Sequence, residues 1–198
     1  MKYIISSILL LATLQCPAQK DDKAGKILDA LVEEYEKSTG IEIIFEGTAQ
    51  TIALKGDKFV SDLGGIRSWF DGKTLWTYVT ADEEVTINAP TPEEIRSINP
   101  YAILSDYKNG FKYSHAGTQT IRGAVCEKVT LTPEKDMEIR EISIAVDRRM
   151  RPAYIKIRHE SGKAVELTVK EYKTLPLDDS FFRFNPDDYP GIEIYDMR

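Results

Sequence analysis

The sequence predicts a mainly β (α+β) domain: one strongly curved antiparallel sheet of about ten strands, an N-terminal helix and a short helical insertion. Most of the chain alternates apolar and polar residues, which is typical of strands with one buried face. Residues 21–38 instead repeat their apolar residues with a helical period, and prolines between positions 90 and 100 interrupt the strands. The 198 residues contain no repeat, linker or low-complexity segment, which indicates one domain with a sizeable core.

The N-terminus has the features of a signal peptide. A basic start precedes the apolar run 4–14, which is too short to span a bilayer. Small residues after this run predict a signal peptide over residues 1–18 and a mature domain over residues 19–198. Cleavage before Gln19 leaves Cys126 as the only cysteine of the mature chain, so we expect the fold to depend on packing rather than on an intrachain disulfide.

Cys16 offers an alternative, because lipoprotein signal peptides end at a cysteine that becomes acylated. Such sites usually have Leu three residues before the cysteine and a small residue directly before it. Here these positions hold Thr13 and Gln15, which favours cleavage before Gln19. An acylated Cys16 would instead anchor the same domain to a membrane.

The first element of the mature chain is an amphipathic helix over residues 21–38. Asp21 or Asp22 is suited to cap its start, and Gly40 is suited to end it. The apolar stripe consists of Ile27, Leu28, Leu31, Val32 and Tyr35. We expect this stripe to pack on the sheet.

An antiparallel meander follows from residue 41 to residue 87. Ile41, Ile43 and Phe45 share one face of the first strand. Asp71-Gly72 predicts a two-residue type I′ turn between two strands, and the acidic run 82–84 predicts the next turn. Both tryptophans lie in this pair of hairpins, whose large apolar surface suits binding better than catalysis.

The helical insertion lies between residues 89 and 110. Thr91 and Glu94 are placed as a capping box with Pro92 at the first helical position, and Asn99-Pro100 repeats the cap-then-proline pattern. One interpretation is a helical crossover that covers one end of the sheet. The other is a lid over a cavity, because long insertions within compact β domains are often functional.

Strands return after Gly110, and the pattern predicts five of them: residues 111–115, 124–132, 141–146, 154–158 and 165–170. The last three alternate apolar and polar residues clearly, which predicts a sheet exposed to water on one face only. The aromatic segment 181–184 and the stretch 191–194 predict a final edge segment and a tail.

The composition does not favour an enzyme or a nucleic-acid-binding protein. The net charge is −6 and the basic residues are scattered. His115 and His159 lie in different predicted strands without triad-like or ligand-like neighbours, and Cys126 is best interpreted as a buried thiol. The acidic runs lie in predicted turns. The sequence therefore predicts no catalytic residue, no metal site and no cofactor.

Four motifs, in order along the chain, resemble the LolA family of lipoprotein carriers. They are Asp71-Gly72-Lys73-Thr74-Leu75-Trp76-x-Tyr78, Asn99-Pro100-Tyr101-Ala102-Ile103-Leu104, Val129-Thr130-Leu131-Thr132-Pro133 and Phe182-Arg183-Phe184-Asn185-Pro186. The resemblance implies an incomplete β-barrel with a helical lid and a hydrophobic cavity. It also implies a periplasmic, monomeric carrier that shields lipoprotein acyl chains and moves them from the inner to the outer membrane.

The partners implied by this resemblance are acylated lipoproteins, an inner-membrane lipoprotein-releasing transporter and an outer-membrane acceptor. One departure concerns the lid. The family has an arginine after the first strands that holds the lid, whereas this chain has Lys55 and Lys58 in the matching region. A lysine lacks the planar fork of an arginine, so we expect the lid to be held differently.

The resemblance and the strand patterns together give a predicted binding site. The predicted cavity wall consists of Ile43, Phe45, Leu54, Phe59, Trp69, Trp76, Tyr78, Ile142, Ile144, Ile155 and Ile157. The predicted lid consists of Ile95, Ile98, Tyr101, Ile103 and Leu104. Three alternatives remain: a lipid-anchored acceptor or sensor on the same fold, a carrier of another lipid, and a structural domain with a filled core.

Overall fold

A computed structural model of the chain describes residues 20–47, 50–92, 94–95 and 99–198, and at residues 100 and 101 it describes the backbone alone. The predicted signal peptide and Cys16 lie outside the described residues, as does Ile98. The side chain of Tyr101 lies outside them too.

The fold is mainly β, as predicted, and its centre is one open sheet of twelve strands in the order β12-β6-β5-β4-β3-β2-β1-β11-β10-β9-β8-β7. The strands are β1 (Ile41–Phe45), β2 (Thr51–Lys55), β3 (Lys58–Leu63), β4 (Ile66–Phe70), β5 (Leu75–Val79), β6 (Glu84–Asn88), β7 (Phe111–Ile121), β8 (Ala124–Pro133), β9 (Ile139–Val146), β10 (Pro152–His159), β11 (Ala164–Thr174) and β12 (Glu193–Asp196). Neighbouring strands pair antiparallel except β12, which pairs parallel with β6. The sheet does not close, which agrees with the expected incomplete barrel.

The N-terminal helix α1 (Asp22–Glu36) forms where the apolar stripe predicts it. Asp21 is the N-cap, because its side chain accepts hydrogen bonds from the backbone N–H groups of Lys23 and Ala24. The helix ends at Glu36, so Gly40, four residues later, does not end it as the sequence predicts. A Cβ at Gly40 would lie 2.7 Å from the carbonyl oxygen of Leu175, so only glycine lets β1 start this close to the end of β11.

One face of the sheet packs on α1, and we call it the inner face. Ile43, Leu54 and Ile144 lie on it. The alternation predicted for β1 is confirmed, since Ile41, Ile43 and Phe45 are all buried. The apolar stripe of α1 packs in two inner-face clusters, one with β7–β9 and one with β1–β4 and β11, so the helix bridges the two halves of the sheet.

The hairpins β4–β5–β6 share their central strand as predicted, but the turn predicted at Asp71-Gly72 is wrong. Phe70 pairs with Leu75, so the loop has four residues rather than two. Asp71 has a negative φ, and its side chain accepts hydrogen bonds from the backbone N–H groups of Lys73 and Thr74. The aspartate side chain thereby forms the turn itself, which the dipeptide pattern does not reveal.

The opposite, outer face carries Ala53, Val60 and Trp69, and in this half of the sheet it is also covered. Residues 177–192, which we call the C-terminal segment, run across it. Phe182 of this segment is fully buried, and the ring of Phe184 lies 5.4 Å from that of Trp69. The prediction of one wet face therefore fails here, and what was predicted as a tail is part of the core. β12 follows this segment and lies at one edge of the sheet.

Polar contacts anchor the C-terminal segment to the hairpin loops. Lys55 and Lys58 both pair with Asp179, at 2.9 and 2.7 Å, and Lys55 also donates to the carbonyl of Leu177. Arg183 pairs with Asp71 at 3.2 Å. Asp179 thus lies between two cations, whereas the sequence predicted a solvated acidic run at this place.

We expect the Asp179 contacts to make stability depend on acid pH. Hydrogen bonds from Lys58 and Lys55 lower the pKa of Asp179 from 3.8 to about 2. A carboxylate whose pKa is depressed in the folded state stabilises the fold above its unfolded pKa, and this contribution is lost as pH falls through the folded value. Asp179→Asn should therefore lower the melting temperature at pH 7, and its difference from the wild type should shrink between about pH 4 and pH 2. Thermal unfolding across this range measures both values, and a difference that stays constant would contradict the assignment.

Candidate functional site: an apolar cavity under the N-terminal helix

A small apolar cavity lies between the inner face, α1 and the helix α2 (Pro100–Ser105). Its volume is about 60 Å³. Five strands that are adjacent in the sheet contribute to its wall, and their lining residues are Ile41, Ile43, Leu54, Ile144, Pro152, Ile155 and Tyr172. The helices contribute Leu31, Val32, Tyr35 and Leu104. None of these side chains carries a charge, so the wall suits a hydrocarbon chain.

Part of the predicted wall lines this cavity and part lies further away. Ile43, Leu54, Ile144 and Ile155 line it directly. The remaining inner-face residues of the prediction pack in the core around it without lining it, and these are Phe45, Phe59, Ile142 and Ile157. The assignment of these residues to a ligand site stays a prediction.

Three residues of the predicted wall were assigned to the wrong face. Trp69, Trp76 and Tyr78 lie on the outer face and pack against the C-terminal segment. The rings of Tyr78 and Tyr189 are 5.0 Å apart. The reason is that β3, β4 and β5 carry apolar residues on both faces, as at Trp69-Phe70, so alternation alone does not show which face encloses the cavity.

Prediction missed several lining residues. Leu31, Val32 and Tyr35 were assigned to the packing stripe of α1, and they are also the roof of the cavity. Pro152 and Tyr172 lie in β10 and β11 but outside the alternating stretches that predicted these strands, so the period did not mark them. The apolar stripe of α1 was a signal for the missed helix residues, because the side of a helix that packs on a curved sheet borders the same space as the sheet.

The helical insertion begins with the predicted capping box. Thr91 and Glu94 exchange hydrogen bonds between side chain and backbone N–H in both directions. Ile95 packs on the inner-face core, and Ile103 is buried against α1 and β7–β9. Leu104 reaches the cavity. The described part of the insertion therefore contributes Leu104 to the cavity wall, and its role as a lid stays a prediction.

Two hydrogen bonds hold the covering elements at the β2–β3 turn. Tyr35, near the end of α1, donates its hydroxyl to the carbonyl of Gly56 at 2.6 Å. Asn99, just before α2, donates to the carbonyl of Asp57 at 3.4 Å and is almost fully buried. The helical insertion is thus tied to this turn by an amide side chain, whereas Lys55 and Lys58 reach the C-terminal segment on the other face.

A further polar cluster ties α1 to α3 (Tyr107–Gly110). The Tyr107 hydroxyl donates to Asp29 at 2.8 Å, and Lys108 pairs with the same carboxylate. Burial, and then the hydrogen bond to Asp29, raise the pKa of Tyr107, so its phenol stays protonated. The hydrogen bond from Lys108 lowers the pKa of Asp29. This cluster positions the helices and leaves the cavity wall apolar.

The surroundings of the strand residues His115 and Cys126 indicate that both have structural roles. His115 hydrogen-bonds to Glu127, and Lys23 lies 3.0 Å from the same carboxylate, so the group joins the start of α1 to β7 and β8. Hydrogen bonds from Lys23 and His115 lower the pKa of Glu127. Cys126 is buried as predicted, and burial raises the pKa of its thiol, which disfavours the reactive thiolate.

A second, open cleft of about 380 Å³ lies between the β5–β6 turn and the C-terminal segment. Asp82, Glu83, Glu84 and Glu193 line it beside Tyr78 and Tyr189. A hydrocarbon chain in this cleft would displace the water that solvates these carboxylates, which is unfavourable. The cleft therefore does not suit an acyl chain. The cavity under α1 is the better candidate for an apolar ligand.

No helix within the described ranges is both long and apolar enough to cross a membrane. Fold and site thus define a candidate binding protein for apolar ligands: an open sheet, a covering helix and a cavity lined by uncharged side chains. The chain belongs to the family of the outer membrane lipoprotein carrier protein LolA, whose family model matches residues 14–161. This is a family of carrier and binding proteins.

Comparison with solved structures gives proteins of similar fold at low sequence identity. An uncharacterised conserved protein from Thermus thermophilus is similar with a TM-score of 0.57 and 16% identity, over 88% of this chain and 99% of that chain. The lipoprotein LppX of Mycobacterium tuberculosis gives a TM-score of 0.46 and 13% identity, over 78% and 98%. A putative outer membrane lipoprotein-sorting protein domain from Vibrio parahaemolyticus gives 0.43 and 12%, over 80% and 97%. No curated protein shows a significant sequence match to the chain.

Proposed function

We propose that this chain is a periplasmic carrier that shields the acyl chains of lipoproteins and moves them from the inner to the outer membrane. The observation that carries the proposal is the uncharged cavity between α1, α2 and the inner face. Each buried CH₂ group of an acyl chain contributes about 0.8 kcal/mol, so a chain that crosses water needs such a lining. Membership of the LolA family supports this role.

The proposal requires the cavity to open. Its volume is about 60 Å³, whereas pockets that enclose whole ligands have about 300–1,000 Å³. The described arrangement is therefore the closed one, and loading must move α1 and α2 away from the inner face. The contacts that must break are the hydrogen bonds of Tyr35 and Asn99 to the β2–β3 turn. The ligand drives this change only as far as it binds the open state more tightly.

In this scheme the protein acts as a monomer with three partners. They are the acylated lipoproteins, an inner-membrane transporter that releases them to the carrier, and an outer-membrane acceptor that takes them from it. No catalytic step is needed, because the acyl chain moves between apolar surroundings of similar free energy.

The test is capture of lipoprotein by the mature chain starting at Gln19. The wild type should retain a triacylated lipoprotein and release the same protein without its lipid. Ile155→Glu places a carboxylate in the cavity wall at a half-buried position, so capture should fall at least about tenfold. Ile66→Glu makes the same change at an exposed residue outside the cavity and should bind normally.

Equal capture of the acylated and unacylated lipoprotein would overturn the proposed function. Normal capture by Ile155→Glu would place the acyl chains elsewhere on the molecule. Circular dichroism of both variants shows whether each is folded before its binding is compared.

A further inference from the structure

Arg151 lies at the edge of the apolar cavity. It directly precedes Pro152, which lines the cavity, and its guanidinium carbon lies 5.0 Å from the ring centre of Tyr172, which lines it too. The backbone around Arg151 is fixed, because its N–H donates to the side chain of Asp147 and its carbonyl accepts from the Asp147 N–H. A chain that runs along the cavity past Tyr172 thus ends beside a positioned cation.

The guanidinium of Arg151 is incompletely paired. Its Nε is shielded from solvent, and no described residue offers it an acceptor within hydrogen-bonding distance. The nearest carboxylate oxygen, on Glu34 of α1, is 3.8 Å away, which is too long for a hydrogen bond. A shielded donor without an acceptor is unfavourable, and an arginine presents its donors as a fork that suits carboxylates and phosphates.

The Arg151 side chain as a whole remains reachable, since 28% of it is exposed. Tyr172 adds no competing negative charge at this edge, because burial raises the pKa of its phenol to about 12. Among the described residues, the carboxylate paired with the guanidinium is that of Glu34, and the nearby Asp147 accepts hydrogen bonds from the backbone N–H groups of Arg149 and Arg151. An incoming anion therefore competes with Glu34, whose carboxylate lies within ion-pair distance of the guanidinium but beyond hydrogen-bonding distance.

We propose that the cavity also binds free lipids with one anionic head group, a carboxylate or a phosphate, and that Arg151 binds this head group while the acyl chain lies against Tyr172. The inference rests on the proposed function in one respect, because it assumes that the cavity takes an acyl chain. It extends the ligands from the chains of lipoproteins to fatty acids or acylglycerol phosphates.

The test compares charged and neutral lipids that share one chain. Myristate and tetradecanol form the carboxylate pair, and a myristoyl glycerol phosphate with monomyristoylglycerol forms the phosphate pair. The wild type should bind the charged member of at least one pair at least tenfold more tightly, about 1.4 kcal/mol. A preference within the carboxylate pair alone identifies fatty acids, and one within the phosphate pair alone identifies a phospholipid head group.

Variants of Arg151 assign the preference to this residue. Arg151→Gln should remove it and leave the affinity for tetradecanol unchanged, whereas Arg151→Lys should keep part of it, because the charge remains without the fork. Arg158→Gln is the matched control, since Arg158 lies on the strand that directly follows Arg151, is 45% exposed and pairs with Glu141. If Arg151→Gln fails to fold, the lysine variant alone still tests the loss of the fork.

Two results would overturn the inference and leave the proposed function intact. One is equal binding of charged and neutral lipids by the wild type, and the other is an unchanged preference in Arg151→Gln. Failure to bind any of the four lipids, together with failure to capture acylated lipoprotein, would overturn both.

Discussion

Phe182→Ala is expected to destabilise the protein by about 3–5 kcal/mol, the usual cost of truncating a fully buried phenylalanine. The side chain of Phe182 has no exposed surface and packs in the outer-face cluster with Val60, Val85 and Trp69. A domain of this kind has only about 5–15 kcal/mol of stability in total, so the effect is a large part of it. The C-terminal segment is therefore expected to be part of the cooperative fold.

Phe181→Ala is the matched control, because Phe181 is the neighbouring residue and is 43% exposed. Its loss should cost less than about 1 kcal/mol, as is usual for substitutions at the surface. Denaturant unfolding of both variants measures the difference as a shift of the midpoint. Two small and equal effects would contradict the assignment and would mean that the C-terminal segment unfolds separately.

Leu31→Ala is expected to destabilise the empty protein by about 2–5 kcal/mol and to be partly rescued by an acyl ligand. Leu31 is 5% exposed and lines the cavity, so its truncation removes packing and enlarges the space above Ile144. A ligand that binds only the folded state raises stability by about 2.7 kcal/mol at a hundred times its dissociation constant. In the enlarged cavity the ligand buries more of its chain, at about 0.8 kcal/mol per CH₂.

Leu28→Ala provides the comparison, since Leu28 lies one turn earlier on α1, is fully buried and does not line the cavity. Its cost should be similar, but a saturating acyl ligand should stabilise it no more than the wild type. Thermal unfolding with and without myristate measures the two gains. Equal gains for both variants would place the acyl chain outside this cavity.

The positions of the secondary structure elements were largely predictable from local patterns. The helix stripe of α1 and the capping box at Thr91 and Glu94 rest on contacts between residues close in sequence, and both formed as predicted. The alternation in β1 marked its buried face, because Ile41, Ile43 and Phe45 share one side of that strand. Such signals need no knowledge of the remainder of the chain.

The cavity was predictable only in part. The strand patterns predicted four of the residues that line the cavity: Ile43, Leu54, Ile144 and Ile155. Each lies on the main apolar face of its strand or next to a strand that has such a face. Trp69, Trp76 and Tyr78 were assigned to the wrong face, because their strands are apolar on both sides. Which of two apolar faces encloses the cavity depends on the segments that cover each face, and these segments are distant from the strands in sequence.

The sequence by itself determined a mainly β domain with one capped N-terminal helix, a helical insertion and a family relationship, because periodicity, capping and motif order are local properties of the chain. Only the tertiary structure decided that residues 177–192 cover the outer face, that Lys55 and Lys58 hold this segment through Asp179, and that Arg151 lies beside Tyr172 at the edge of the cavity. The physical reason is that these contacts join residues far apart along the chain, and their pairing depends on which faces of the sheet are brought together by burial.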